Sequence, residues 1–404
     1  MVKVKKEQLE FLQWEFGVFF HFGIRAFYEG HKDWDMKPMD LSVFDPKELD
    51  CEEWIRTVWD AGGKYAVLVC KHHDGFANWP SAYTEYSVKN TPFNNGRGDI
   101  VREFVDACRK YGIKVGLYYS PAQFGSAELS AKEYDDYFIN QIRELLTNYG
   151  KIDYLWFDGC GSENHVYDTN RIVKEIRACQ PQILLFNMWD PDTRGVGNEA
   201  GIAHSPNYLM VDELDFSVMT EERGALAQAK FLPVECDCRM RLDNWFYSDS
   251  DVDTVKSVDE LMGLYYYSVG RGSNLLLNIG PDRRGKLPER DKAALLAFGK
   301  IIREFTCDLI SCREETGEKK LTLLLDSCLV NHVILEEEVS TNEIEQFEIQ
   351  VYPYPYGAPV TVYRGTTIGH KAICPFPTIR TAKVDILFDK NKKVTAALKY
   401  LPRY

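Results

Sequence analysis

Tyr154-Leu155-Trp156-Phe157-Asp158-Gly159 is the stretch that decides how the rest of the chain is read. From Ile152 to Phe157 the run is apolar apart from one acid, as in a buried strand of a parallel sheet. It stops at an aspartate followed by glycine, so a carboxylate is presented where strand gives way to loop. Side chains alternate along a strand, which puts Trp156 and Asp158 on one face. In α/β folds chemistry gathers at the carboxyl ends of strands, and an acid there is a candidate nucleophile. The structural alternative is a turn or helix-capping aspartate, which Asp-Gly pairs often supply.

The same grammar recurs on both sides of this stretch. Phe16 to His21 reads as a first strand, followed by a helix over Cys51 to Ala61 that Gly62-Gly63 stops. Tyr65 to Cys70 is a strand running into Lys71-His72-His73-Asp74-Gly75-Phe76. A helix over Asp99 to Tyr111 leads to a strand over Ile113 to Ser120, and Tyr134, Phe138, Ile142, Leu145 and Tyr149 mark a long amphipathic helix. Beyond Asp158, helices over Asp168 to Cys179, Asp259 to Val269 and Pro288 to Phe305 alternate with strands over Ile183 to Met188, Phe231 to Val234 and Leu275 to Gly280. These are seven strands, and no glycine-rich nucleotide turn follows the first. The pattern predicts an α/β fold, a (β/α)8-like (TIM-type) barrel over residues 1–306 with one or two irregular units. Past residue 307 short β-type runs such as 321–325, 333–335, 347–351, 360–363 and 384–388 are separated by Gly, Pro and Asn. They predict a small all-β sandwich over residues 307–404.

Composition narrows the partners. The 404 residues are 45% hydrophobic and 13% aromatic, within the globular range. A net charge of −13 with no basic run argues against nucleic acid and against an anionic membrane. No segment approaches the ~18 apolar residues of a membrane span, and the N-terminus lacks the apolar core of a signal peptide. Eleven scattered cysteines without paired C-x-x-C spacing suit a reduced compartment, so a cytoplasmic location is expected. Monomer and homo-oligomer both stay open.

Polar residues end nearly every strand: His21, His72-His73, Ser120, Asp158, Asn187, Glu235 and Asn278. Collected on one rim, they would line a pocket for a molecule with many hydroxyl groups. One histidine of an adjacent pair is often packed while the other is solvated. Histidine and aspartate also ligate metals, which opens a metal-dependent hydrolase using His21, His72, His73 and Asp158. The H-x-H and H-E-x-x-H spacings are absent, and no metal or other cofactor is expected.

The chain resembles the α-L-fucosidases of glycoside hydrolase family 29. The resemblance lies in FGVFFHFG (16–23), AGGKYAVLVCKHHDGFANW (61–79), KVGLYYS (114–120), YLWFDG (154–159), RGVGNEAG (194–201), LPVECD (232–237) and GSNLLLNIGPDRRGKL (272–287), and extends into TTIGHK (366–371). It implies a fucosylated oligosaccharide or glycoconjugate as substrate and a retaining mechanism, with two carboxyl groups about 5–5.5 Å apart. Asp158 matches the nucleophile, with Arg194 and the histidines expected to hold its pKa low. Glu199 is the chosen acid/base and Glu235 the reserve, otherwise a sugar-binding or buried structural carboxylate. His21, His72, His73, Tyr118, Trp156 and Arg194 match sugar-binding positions, and Phe19 and Trp245 match residues packing on the C6 methyl of fucose. Two departures stand out: His21-Phe22-Gly23 replaces His-Trp-Gly, and Asp33-Trp34-Asp35 replaces a pattern with glutamate before tryptophan. VGNEAG and PVECD look like the subgroup preferring α-1,3/1,4-linked fucose. A non-catalytic sugar-binding protein on the same scaffold is the remaining alternative, and the presence of both carboxylates argues against it.

Overall fold

The computed structural model describes residues 4–29, 39–122, 129–161, 165–215, 223–338, 344–355 and 357–402. Eight strands form one parallel sheet: β1 (Phe16–Phe20), β2 (Tyr65–Lys71), β3 (Lys114–Tyr119), β4 (Tyr154–Phe157), β5 (Leu184–Phe186), β6 (Arg194–Gly195), β9 (Val234–Arg239) and β10 (Asn274–Ile279). Their order is β5-β4-β3-β2-β1-β10-β9-β6. A parallel bridge between Phe186 and Thr193 joins the two ends and rounds the sheet into a barrel. Helix α1 (Lys6–Leu12) closes the floor, where Phe11 and Trp14 pack on Tyr154 and Tyr65 with ring centroids 5.3 and 5.2 Å apart.

Among the described residues six helices pack outside: α2 (Cys51–Asp60), α3 (Ile100–Tyr111), α4 (Ala131–Asn148), α5 (Thr169–Cys179), α6 (Val258–Tyr267) and α7 (Glu289–Thr306). Five of them start at a capping side chain, whereas α7 follows Pro288, which makes no side-chain cap. Asp50, Asp99 and Asp168 accept the third N–H of α2, α3 and α5. Ser130 and Ser257 form capping boxes with Glu133 and Glu260. Among the described residues, no helix follows β5 or β6. A hairpin, β7 (Met210–Asp215) and β8 (Arg223–Phe231), stands in that stretch. The irregular units expected from the sequence are therefore the fifth and sixth.

One strand differs from expectation. The run Phe231 to Val234 breaks at Leu232-Pro233, since proline offers no N–H to a ladder. Phe231 ends β8, and β9 begins at Val234. Glu235 thus lies near the start of its strand, not at its carboxyl end.

The antiparallel domain holds β11 (Arg313–Gly317), β12 (Lys320–Glu337), β13 (Phe347–Pro353), β14 (Val360–Gly365), β15 (Ala372–Phe388) and β16 (Val394–Lys399). They make one six-stranded sheet around a separate core that includes Leu323, Val333, Ile349, Val384 and Leu398. The runs 321–325 and 333–335 fall in a single strand, β12, interrupted by register shifts. Among the described residues no helix is long and apolar enough to cross a membrane.

The loop after β9 is fixed by a buried ion cluster. Arg241 donates Nε to Asp291 Oδ1 at 2.9 Å, Nη2 to Asp291 Oδ2 at 2.9 Å and Nη1 to Asp251 Oδ1 at 3.1 Å. Asp251 in turn holds Asn244, beside Trp245. Removing one partner strands a buried charge, so Asp291→Ala is expected to lose ~3–5 kcal/mol in urea unfolding. A loss under ~1 kcal/mol would show that water reaches Arg241 and screens it.

Candidate active site

The lumen is built by alternation. Gly17, Tyr65, Tyr154 and Glu235 form its lower part, and Phe19, Trp156 and Tyr118 lie above them. Glu235 is fully buried. Its Oε2 accepts the Tyr65 hydroxyl at 2.7 Å, and its Oε1 accepts Trp156 Nε1 at 2.8 Å and the Tyr154 hydroxyl at 3.2 Å. Burial pushes its pKa up to about 7 against those three donors. Neither a sugar contact nor a reserve acid/base role suits this placement. Glu235 grips the Trp156 indole from below, and the Phe186 ring stacks on Trp156 at 4.0 Å.

Above this floor stand the residues at the strand ends. Asp158 Oδ2 accepts the Tyr118 hydroxyl at 2.8 Å, and Oδ1 accepts the Cys160 N–H at 2.9 Å. His73 Nε2 lies 3.5 Å from Asp158 Oδ2, and its Nδ1 meets Ser120 Oγ at 2.6 Å. The Asp158 side chain keeps 26% exposure, the most open of this group. Its pKa is raised by burial, which outweighs the Cys160 and Tyr118 hydrogen bonds, so the expected lowering by Arg194 and the histidines does not occur.

His21 is buried and its pKa is pushed down to about 3, leaving it neutral. Asn278 donates Nδ2 to the Trp245 carbonyl at 2.7 Å, which turns its Oδ1 toward His21 Nδ1, also at 2.7 Å. His21 therefore carries its proton on Nδ1 and has Nε2 as an acceptor. Burial likewise lowers His72 well below the usual range, and its ring stacks on Tyr118 at 5.5 Å. Phe19 packs on His21, Tyr118 and Trp156, and Trp245 lies 5.0 Å from His21. Phe22, where the family pattern has tryptophan, sits outside the barrel against Trp54 and Phe44. Asp33-Trp34-Asp35 lies outside the described residues.

Glu199 approaches from the loop after β6. Its pKa is raised, first by burial and also by the negative charge of Asp158. Arg239 and a hydrogen bond from the Trp245 indole oppose that rise. Arg194 is placed differently from expectation. Gly195 pairs in register with Glu235 and takes the inward position, leaving Arg194 outward. There it donates Nη2 to the Tyr208 carbonyl at 2.8 Å and to Asn207 Oδ1 at 3.3 Å.

Three residues of the pocket were missed in the sequence. Asp237 and Arg239 share the inward face of β9 with Glu235, a two-residue period that the strand boundary at Val234 makes plain. Asp237 is pushed up to about 8 by burial and by the charges of Glu199, Glu235 and Asp158. Arg239 lies 5.2 Å over the Trp245 ring, and Phe246 packs edge-on against both His21 and His72. No spacing in the sequence marks Phe246.

A family model described as alpha-L-fucosidase matches residues 2–305. The chain belongs to the α-L-fucosidase family. Alpha-L-fucosidase 1 of Arabidopsis thaliana is 33% identical over 302 residues, covering 72% of this chain and 59% of the plant protein. Thus the chain spans under two thirds of that relative's length. A glycoside hydrolase 29 family member from a rumen bacterium superposes with a TM-score of 0.88 at 32% identity, over 99% of this chain and 78% of that one. A candidate α-L-fucosidase of Bacteroides thetaiotaomicron is matched end to end, with a TM-score of 0.87, 30% identity, and 100% and 99% coverage.

Ligand atoms of His72, His73 and Asp158 all lie within 4.8 Å of one another, close enough to hold a metal ion. Two of the three already have protein partners in the fucosidase fold: Asp158 is held by Tyr118 and Cys160, and His73 by Ser120. Among the described residues His72 Nδ1 has no hydrogen-bond partner, although it is buried.

The floor carboxyl makes a prediction. Its folded pKa of about 7 lies above the ordinary glutamate value of 4.5. The contribution of Glu235 to stability is then full below pH ~4.5 and lost as pH rises through 7. Urea unfolding of wild type and Glu235→Gln should diverge over that range by up to ~3 kcal/mol, the wild type losing more as pH rises. Parallel curves would mean that the Glu235 carboxyl titrates in the folded protein as it does in the unfolded chain.

Proposed function

We propose that the protein is a retaining α-L-fucosidase that releases terminal α-linked L-fucose by double displacement through Asp158 and Glu199. The observation that carries this reading is the pairing of the two carboxyl groups in one pocket, where the charge of Asp158 raises the pKa of Glu199. In the first step an Asp158 oxygen bonds to C1 as the C1–O bond to the aglycone breaks, and Glu199 gives its proton to the departing oxygen. In the second, Glu199 takes a proton from water, the water oxygen bonds to C1, and Asp158 leaves as carboxylate. The hydroxyl of Tyr118 and neutral His21 supply hydrogen-bonding groups for sugar hydroxyls, while Trp156, whose one N–H is taken by Glu235, offers only its ring. Phe19, Trp245 and Phe246 offer the apolar wall that suits the C6 methyl, whose burial is worth roughly 0.8 kcal/mol.

The preference for branched α-1,3/1,4 linkages rests on the VGNEAG and PVECD stretches. An aryl α-L-fucoside set beside a branched fucosylated trisaccharide tests it, since cleavage of the trisaccharide alone fits the restricted subgroup. The cluster of His72, His73 and Asp158 favours a metal-dependent hydrolase as the second reading. A metal there would engage the oxygen that attacks C1, so activity that persists in EDTA removes it.

Asp158→Ala should lose at least ~10³-fold in kcat, and Glu199→Ala ~10²–10⁴-fold. Azide should return β-fucosyl azide from the first and α-fucosyl azide from the second. Activity requires Asp158 ionised and Glu199 protonated. It should rise as pH passes the raised pKa of Asp158 and fall as pH passes that of Glu199. Glu199→Gln should erase the alkaline limb, and an unchanged limb would assign the acid elsewhere.

A further inference from the structure

The loop bearing Glu199 is held in a conformation that its own sequence does not favour. Glu199 has φ 48°, between Gly197 at φ 74° and Gly201 at φ 72°. For a non-glycine residue the left-handed region persists only where surroundings enforce it. One side of the loop is pinned to the barrel. Gly201 N–H donates to the Asp237 carbonyl at 3.1 Å, and Ala200 bridges to Cys238.

The other side is pinned by the antiparallel domain. Ser205 Oγ lies 3.0 Å from Thr366 Oγ1. Thr367 Oγ1 accepts the Asn207 N–H at 3.1 Å and faces the Asn207 carbonyl at 3.3 Å. Asn207 also donates Nδ2 to the Arg271 carbonyl at 2.8 Å, while its Oδ1 accepts from Arg194 just ahead of Glu199. The strand β15 that follows the turn carrying both threonines is fastened to the barrel, where Ile373 N–H donates to the Gly270 carbonyl at 3.0 Å.

We infer that Thr366 and Thr367 are positioning residues for the reaction: the antiparallel domain braces the Glu199 loop and so aims the acid/base. This rests on the assignment of Glu199 given above. Thr366 and Thr367 bond to Ser205 and Asn207 and not to a pocket side chain, so they act on the reaction through the loop that bears Glu199.

The test uses the full chain with Thr366→Val, Thr367→Val and the conservative Thr367→Ser, each assayed on aryl α-L-fucosides whose leaving phenols differ in acidity. Proton donation matters for poor leaving groups and little for activated ones. A general acid contributes ~10²–10⁴-fold, and a loosened one should forfeit part of that. The valine variants should lose roughly 10-fold or more in kcat/KM on the unactivated phenol and under about 3-fold on the dinitrophenol. Thr367→Ser, which keeps the hydroxyl, should recover most of the loss. An equal loss on all leaving groups, or no loss on any, overturns the brace. Glu199→Gln run in parallel separates the two claims. If Glu199→Gln shows the leaving-group dependence and the threonine variants do not, only the brace fails. If Glu199→Gln lacks it too, the acid/base assignment fails first.

Discussion

A closed parallel barrel must turn every second residue of each strand into a lumen too narrow for water, and the site follows from that constraint. Gly17 shows how tight the fit is. A Cβ there would meet the Tyr65 ring at 2.4 Å, so the missing side chain is the space through which Tyr65 reaches Glu235. Tyr154, Trp156 and Asp158 then climb one face of β4 in steps of two, from floor to middle to rim. On β9 the same steps run Glu235, Asp237, Arg239. Depth in the barrel decides what an acid can reach: sealed and triply hydrogen-bonded at the bottom, partly open at the top.

The electrostatics follow from the same enclosure. Burial raises Asp158, Glu199, Glu235 and Asp237 together, and like charges so close cannot all ionise. Exposure and donors together decide which does, since Glu235 has three donors but lies sealed in the floor while Asp158 is partly open. Asp158 receives a phenol hydroxyl and a backbone N–H, which stabilise its anion. Its charge then favours the protonated form of Glu199. Asp237, pushed up to about 8, stays mostly protonated at neutral pH and keeps a further negative charge out of the pocket. Under the proposed mechanism, the division of labour between Asp158 and Glu199 follows from how deeply each carboxyl is buried and from the donors and charges that face it.

Most of this was legible in the sequence because it repeats a short-range pattern. Apolar runs ending in a polar residue located β1 to β4 and β10, and apolar residues at helical spacing located the helices. The strand-end residues His21, His73, Tyr118 and Asp158 do come together. What the sequence hid was register. Reading Phe231 to Val234 as one strand put Glu235 on the rim, whereas Pro233 ends the ladder and starts β9 two layers deeper. The two-residue strand β6 is too short to show a period, so the outward side of Arg194 could not be seen. In the antiparallel domain, 18-residue and 17-residue strands bend at register shifts, and each bend breaks the alternation that would have marked them as continuous.

The irregular part of the barrel is also where the second carboxyl sits, and the two facts have one cause. A βα loop gains rigidity from the helix that follows it, which pulls the chain back against the sheet. After β5 and β6 the described chain has no such helix, and the loop carrying Glu199 leaves the barrel without that support. Left to itself, a stretch with three left-handed residues within five positions would sample many conformations. The ladder of β9 holds one end, and Thr366 and Thr367 hold the other from outside the barrel. An architecture that gives up a helix to place a long acid-bearing loop over its mouth must find that loop a second anchor, and the antiparallel domain stands where it can supply one.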